Sequence, residues 1–187
     1  MAQAVDVRSV VVQGLSVLLI CAFIELGAGG VLAGMDDYFT NLLPGLIVMV
    51  PPLLGLRGNI NGALASRFGT GLNTGTIKPR LRWSREIKVN LASALILSTV
   101  ASLIIGILSF WVNVLTGAPT IGIIQLVTIA IIAGVASGVL LSSLTVVVAI
   151  FTFTRGLDPD NLTAPLMATV GDFVTTLCIF LAVSLVI

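Results

Sequence analysis

Three ionisable side chains, Glu25, Arg57 and Asp172, fall inside long apolar runs. A charge at bilayer depth is costly, so each such residue marks a candidate functional position. Asp172 sits about ten residues into the last run, which carries it roughly 15 Å inward at 1.5 Å per helical residue, near the midplane. Ala168, Thr169, Thr175 and Thr176 lie three or four positions from it on the same helical face. A carboxylate flanked by hydroxyls along one stripe suits a hydrated cation. The competing assignment makes Asp172 a structural partner for Arg57. Glu25 has Gly27, Gly29 and Gly30 close by, so a tight helix contact would seat it beside a pathway. Its position nearer the outer face equally lets it reach interfacial water.

The run that carries Arg57 is unusual. It contains Pro44-Gly45, then Pro51-Pro52, then Gly55-Leu56-Arg57-Gly58-Asn59-Ile60-Asn61-Gly62. Proline removes a backbone donor and clashes with the preceding turn, which predicts a kinked or broken helix. Freed carbonyls at membrane depth must face protein or a water-filled cavity. Gly55, Gly58, Asn59, Gly62 and Ser66 recur on one face, which makes either a close-packing seam or, with Asn59 and Asn61 nearby, the lining of a pathway. Asn59 lies eight residues before Arg67, roughly 12 Å from that end of the helix, within a few ångströms of the level of Asp172. The two polar stripes are therefore placed to face each other.

All candidate ligands here are oxygens: the Asp172 carboxylate, the Asn59 and Asn61 amides, the Thr176 hydroxyl and the backbone at Gly58. Oxygen suits the hard cations Mg²⁺, Mn²⁺ and Ca²⁺, whereas soft ions call for Cys, Met or His. Mg²⁺ keeps much of its water and is usually held by one or two carboxylates. One Asp172 per chain is sparse for a divalent ion, and two copies on a twofold axis would supply a second. Farther along, Asp158, Asp160 and Asn161 precede Pro165, where they serve either as helix initiators or as an acidic mouth. Asp36 and Asp37 stand at the opposite end, where they would attract cations.

These positions require membrane-spanning elements, and the composition supplies them. Of 187 residues, 57% are hydrophobic and 9% charged, with a mean hydropathy of +1.17. Soluble domains carry about a quarter charged residues, so a soluble enzyme is excluded. The chain has no histidine, which removes His-dependent triads and zinc–His sites. A net charge of +1 leaves no nucleic-acid footprint. Cys21 and Cys178 sit in apolar runs and read as small buried hydrophobes. Five apolar runs, at about 10–35, 42–66, 89–115, 121–153 and 162–187, predict an all-α integral membrane protein with five transmembrane helices and no soluble regulatory domain. The first run is longer than the core of a cleaved signal peptide.

Eight of the nine basic residues fall on one side of this layout: Arg8, Arg67, Lys78, Arg80, Arg82, Arg85, Lys88 and Arg155. Positive residues stay inside, which predicts a cytoplasmic N-terminus and an outer C-terminus. The basic connection between the second and third spans suits a headgroup-facing loop. Gly134, Gly138 and Ser142 repeat every four residues in the fourth span, as helix-packing positions do. Trp83 and Trp111 lie near span ends, as interfacial anchors should. No internal repeat is present, so a symmetric pathway needs a second copy of the chain.

The run from Gly55 to Arg67, Gly-Leu-Arg-Gly-Asn-Ile-Asn-Gly-Ala-Leu-Ala-Ser-Arg, resembles the second-helix signature of the MgtE family and of its eukaryotic relatives, solute carrier family 41. Asp158-Pro159-Asp160-Asn161, followed by Pro165 and Gly171-Asp172, is similar to the same superfamily's fifth-helix motif. The resemblance implies an MgtE-type transmembrane domain that forms a homodimeric divalent-cation transporter or channel, chiefly for Mg²⁺. It implies that Asp172 binds a hydrated ion in a central pore lined by the helix of Asn59. Bacterial members carry large cytoplasmic sensor domains that this sequence does not show, so gating by them is not carried over. Asn61 stands where the solute carrier relatives tend to have an acidic residue.

The expectation is thus a multi-pass cell-membrane protein, not an enzyme. It passes Mg²⁺ (or Mn²⁺ or Ca²⁺) near a dimer axis between spans two and five and needs no cofactor beyond the transported ion. Its expected partners are divalent metal ions, the lipid bilayer and a second copy. A Na⁺- or H⁺-coupled exchanger would use the same ligands. A lipid-phosphate enzyme is disfavoured because Asp158 and Asp160 are the only near carboxylate pair apart from Asp36 and Asp37 in the opposite connection. A purely structural subunit leaves the midplane carboxylate unexplained.

Overall fold

A computed structural model describes residues 7–80, 83–155 and 159–187. Among them every regular element is helical: α1 (Val7–Ala33), α2 (Val50–Asn73), α3 (Arg85–Thr116), α4 (Ile123–Thr154) and α5 (Pro159–Val186). Arg85–Thr116, Ile123–Thr154 and Leu166–Val186 are long and apolar enough to cross a membrane, and α1 carries an apolar segment at Leu18–Ala33. Their outer faces expose Leu19, Phe23, Leu103, Leu108, Leu140 and Leu181. Apolar faces of this extent are foreign to a water-soluble surface and match hydrocarbon. The protein is an α-helical, multi-pass membrane protein.

The α1–α2 connection folds inward as a π-helical turn (Tyr38–Leu42) and a 3₁₀ turn (Leu46–Met49). Gly45 between them has φ +85°, in the left-handed region that glycine enters without steric cost. Asn113 Nδ2 donates to the Gly45 carbonyl at 3.0 Å, and the Ile121 amide donates to Pro44 O at 3.1 Å. Both bonds tie the turn to the α3–α4 end of the bundle. The expected proline break is displaced. Pro51 and Pro52 sit in the first turn of α2, where their missing donors cost nothing, and the chain breaks one step earlier at Gly45. From there α2 runs without interruption to Asn73.

Helix α5 packs on α2, α4 and α1, while α3 packs chiefly on α4. Two apolar clusters form the core. One joins Met35, Leu46, Leu53, Ile129 and Ile179, and the other joins Leu64, Phe68, Ala94 and Ala149. Along α2 and α4 a polar layer separates them, made by Arg57 and Asn61 on α2 and by Ser137 and Ser142 on α4. On α3 the layer continues as Ser98 and Ser102. Cys21 and Cys178 are buried free thiols, as their apolar contexts predict, and Trp83 and Trp111 are exposed.

Candidate functional site

Asp172 lies half-buried on the middle of α5. The Glu25 carboxyl of α1 lies beside it. That approach needs a thin helix face. A Cβ on Gly27 would stand 3.3 Å from the Phe173 ring, so the bare glycine lets α1 close on α5 beside the carboxyl pair. Glu25 itself remains exposed. One chain therefore presents two adjacent carboxyl groups at membrane depth. Among the described residues no group of three or more Asp, Glu, Cys or His side chains gathers.

The hydroxyls around Asp172 are engaged locally. Thr176 Oγ1 donates to the Asp172 carbonyl at 2.8 Å, and Thr175 Oγ1 donates to Gly171 O at 2.6 Å. Both keep lone pairs for accepting. Thr169 is buried one turn earlier. Gly58 packs against Ala168, where an added Cβ would lie 3.9 Å from the alanine methyl. That contact brings the Gly58 turn of α2 to the turn of α5 preceding Asp172.

Asn59 and Asn61 diverge, as residues two apart on a helix must. Asn59 is exposed on the stripe with Gly55 and Ser66, at the edge of a groove that it shares with Ala94 and Leu97 of α3. Asn61 is buried with neither amide atom hydrogen-bonded. It shares the inward face of α2 with Arg57, one turn away.

Arg57 is fully buried and does not pair with Asp172. Its guanidinium donates to Ser98 Oγ at 2.7 Å and to Gly134 O at 2.5 Å, and Ser98 also donates to Gly134 O at 2.8 Å. The Gly134–Gly138 repeat of α4 makes the space: a Cβ on Gly134 would overlap Ser102, and one on Gly138 would lie 2.7 Å from Ser98 Oγ. The packing assigned to that repeat thus has a specific occupant. Sequence reading missed Ser98 and Ser102. The signal was available, because Ser98, Ser102, Gly106, Ser109 and Asn113 form one small and polar stripe that α3 buries.

Asp36 and Asp37 are exposed in the α1–α2 connection, where Asn41 Nδ2 donates to Asp37 Oδ1 at 2.7 Å. They stand apart from the Glu25–Asp172 pair along the chain. Asp158 lies outside the described residues, as do the side chains of Asp160 and Asn161.

The MgtE family model, described as a divalent cation transporter, matches residues 50–182. Rat solute carrier family 41 member 3 is 33% identical over 132 residues, which cover 70% of this chain and 29% of the relative. Solute carrier family 41 member 2 of Xenopus laevis is 33% identical over 175 residues, 84% of this chain and 29% of the relative. The mouse member 2 is 30% identical over 191 residues, 92% of this chain and 31% of the relative. The chain spans under a third of the length of these curated relatives.

Proposed function

Since the chain belongs to the MgtE divalent cation transporter family, we propose that it carries a divalent cation, chiefly Mg²⁺, across the membrane past Asp172. The observation that carries this reading is the Glu25–Asp172 carboxyl pair. Two carboxylates match the charge of one divalent ion, and Mg²⁺ bound through retained water needs few direct protein ligands. The Thr176 oxygen and the Gly58 backbone supply further acceptors near that level.

The pathway runs beside α2 and α5 at a homodimer axis. The exposed Gly55, Asn59 and Ser66 face supports this reading, because a polar stripe at membrane depth needs protein or water against it. A second copy would cover the stripe from its Gly55 end and bring a second Asp172. Arg57 acts on the pathway at one remove: it clamps α2 to α3 and α4 and so fixes the register of Gly58 and Asn59. The basic end of the bundle faces the cytoplasm, following the distribution of Arg and Lys, and Asp158, Asp160 and Asn161 form an acidic mouth there. Asp36 and Asp37 concentrate cations at the outer end.

The test is uptake of Mg²⁺, Mn²⁺ and Ca²⁺ by liposomes holding the purified protein, with Na⁺ and proton gradients varied independently. Saturable uptake, greatest for Mg²⁺ and indifferent to both gradients, is expected for passive conduction. Uptake that follows either gradient would make the protein a coupled exchanger. Absence of flux for all three ions would overturn divalent transport.

A further inference from the structure

Two features at the basic end of α2 flank the Asn59 and Ser66 stripe on its α3 side. A cavity of about 420 Å³ opens there, walled by Arg67, Thr70 and Thr74 of α2 and its end, and by Glu86 and Asn90 of α3. Below it a groove of about 160 Å³ runs between the two helices past Asn59, Ile60, Ala63, Ala94 and Leu97. Arg67 and Asn90 line both, so the polar chamber and the apolar groove are continuous. A further cavity of about 390 Å³ shares Thr76 and Glu86 with the chamber and adds Lys78 and Arg80.

We propose that this α2–α3 cleft is a binding site for one anionic phospholipid, with the phosphate at Arg67 and the upper methylenes of one acyl chain in the groove. The charge argument favours an anionic headgroup. Arg67, Lys78 and Arg80 face the two chambers against a single carboxylate, Glu86. Threonine hydroxyls and the Asn90 amide supply neutral donors for phosphate oxygens and for headgroup hydroxyls. A basic residue at a membrane surface attracts anionic lipid, and here the guanidinium is fixed above an apolar furrow instead of being spread along a loop. The groove's volume, comparable to a cavity that a small hydrocarbon fills, seats the first few methylenes of an acyl chain and leaves the rest in the bilayer. Free phosphate would use the chamber and leave the groove empty; a phospholipid uses both.

Native mass spectrometry of the detergent-purified protein tests the site, with phosphatidylglycerol, phosphatidylethanolamine and phosphatidylcholine of identical chains titrated separately. One phosphatidylglycerol per chain is expected to be retained about tenfold more tightly than either zwitterionic lipid. Arg67→Gln, an exposed position, should bring phosphatidylglycerol down to the phosphatidylcholine level. Ala63→Phe, also exposed, fills the groove and should lower affinity by a similar factor while leaving Arg67 in place. Equal binding of all three lipids, or wild-type affinity in Arg67→Gln, would overturn the anionic site. Wild-type affinity in Ala63→Phe, or displacement of the lipid by millimolar inorganic phosphate, would overturn the lipid assignment in favour of a free anion. Thermal melting of both variants checks that they fold. None of these readouts depends on ion flux.

Discussion

Replacing Gly134 by alanine adds one methyl group at the point where α3 and α4 approach most closely around Arg57. The new Cβ would overlap Ser102 Oγ and lie 2.5 Å from Ser102 Cβ, and it would stand 3.4 Å from an Arg57 terminal nitrogen. Rotating the Ser102 hydroxyl relieves the first contact but not the second, so the helices must separate by about an ångström to regain van der Waals distance. Overpacking of that kind costs about 1–3 kcal/mol. Alanine also gains about 1 kcal/mol of helix propensity over glycine, and that part is removed by comparison with Gly29→Ala, where nothing lies within 4 Å of the added Cβ. The expected result is a midpoint of unfolding, measured in graded sodium dodecyl sulfate, that places Gly134→Ala about 1–3 kcal/mol below Gly29→Ala. Adding Ser102→Gly removes both close contacts and should restore most of the difference, a coupling that distant sites do not show. If Gly134→Ala were as stable as Gly29→Ala, or if Ser102→Gly gave no rescue, the close α3–α4 seam described here would be wrong.

Further outcomes follow from the same geometry. Arg57→Met keeps the side-chain volume and removes a buried charge, so its stability should stay within about 1 kcal/mol of wild type, whereas Arg57→Ala opens a cavity and should lose about 2–5 kcal/mol. The denaturant midpoint checks both, and equal losses would contradict the packing role. Gly45→Ala meets a left-handed backbone together with Asn113 Nδ2 at 2.5 Å, while Gly75→Ala meets only its φ of +72°. Left-handed backbone costs an L-residue about 1–2 kcal/mol, so Gly75→Ala should lose that amount and Gly45→Ala distinctly more by the same measurement. Asn41→Ala removes the bond to Asp37, an exposed contact, and should leave the melting temperature within a degree or so. A large loss there would show that the α1–α2 connection is held differently.

The helical membrane class was legible because apolar runs long enough to span a bilayer dominate the chain, and the family was legible in the Gly55–Arg67 run. Asp172 stood out by its depth. The Glu25–Asp172 approach was harder to read, because it depends on Gly27 meeting Phe173 across 146 positions of sequence, and spacing within one helix says nothing about that. The prolines show the limit of a local rule. Pro51 and Pro52 oppose an α-helix passing through them but not one that starts with them, and the Gly45 turn, anchored by Asn113, sets where the helical run toward α2 begins. Asn59 and Asn61 were read together as pathway ligands, yet a two-residue step on a helix sends them to different faces. Arg57 drew attention as an intramembrane charge, while its partners lay in a serine stripe of α3 that hydropathy alone conceals.

The central claim is that a divalent ion passes the carboxyl pair on α1 and α5. The most direct measurement is initial Mg²⁺ uptake into liposomes by Asp172→Asn, Glu25→Gln and the wild type, at matched protein content and with folding checked by melting temperature. Each amide is close in shape to its acid but cannot carry the negative charge. The account predicts that Asp172→Asn abolishes uptake and that Glu25→Gln reduces it by at least about tenfold, the scale of a lost charge-assisted contact. Wild-type uptake in Asp172→Asn would contradict it.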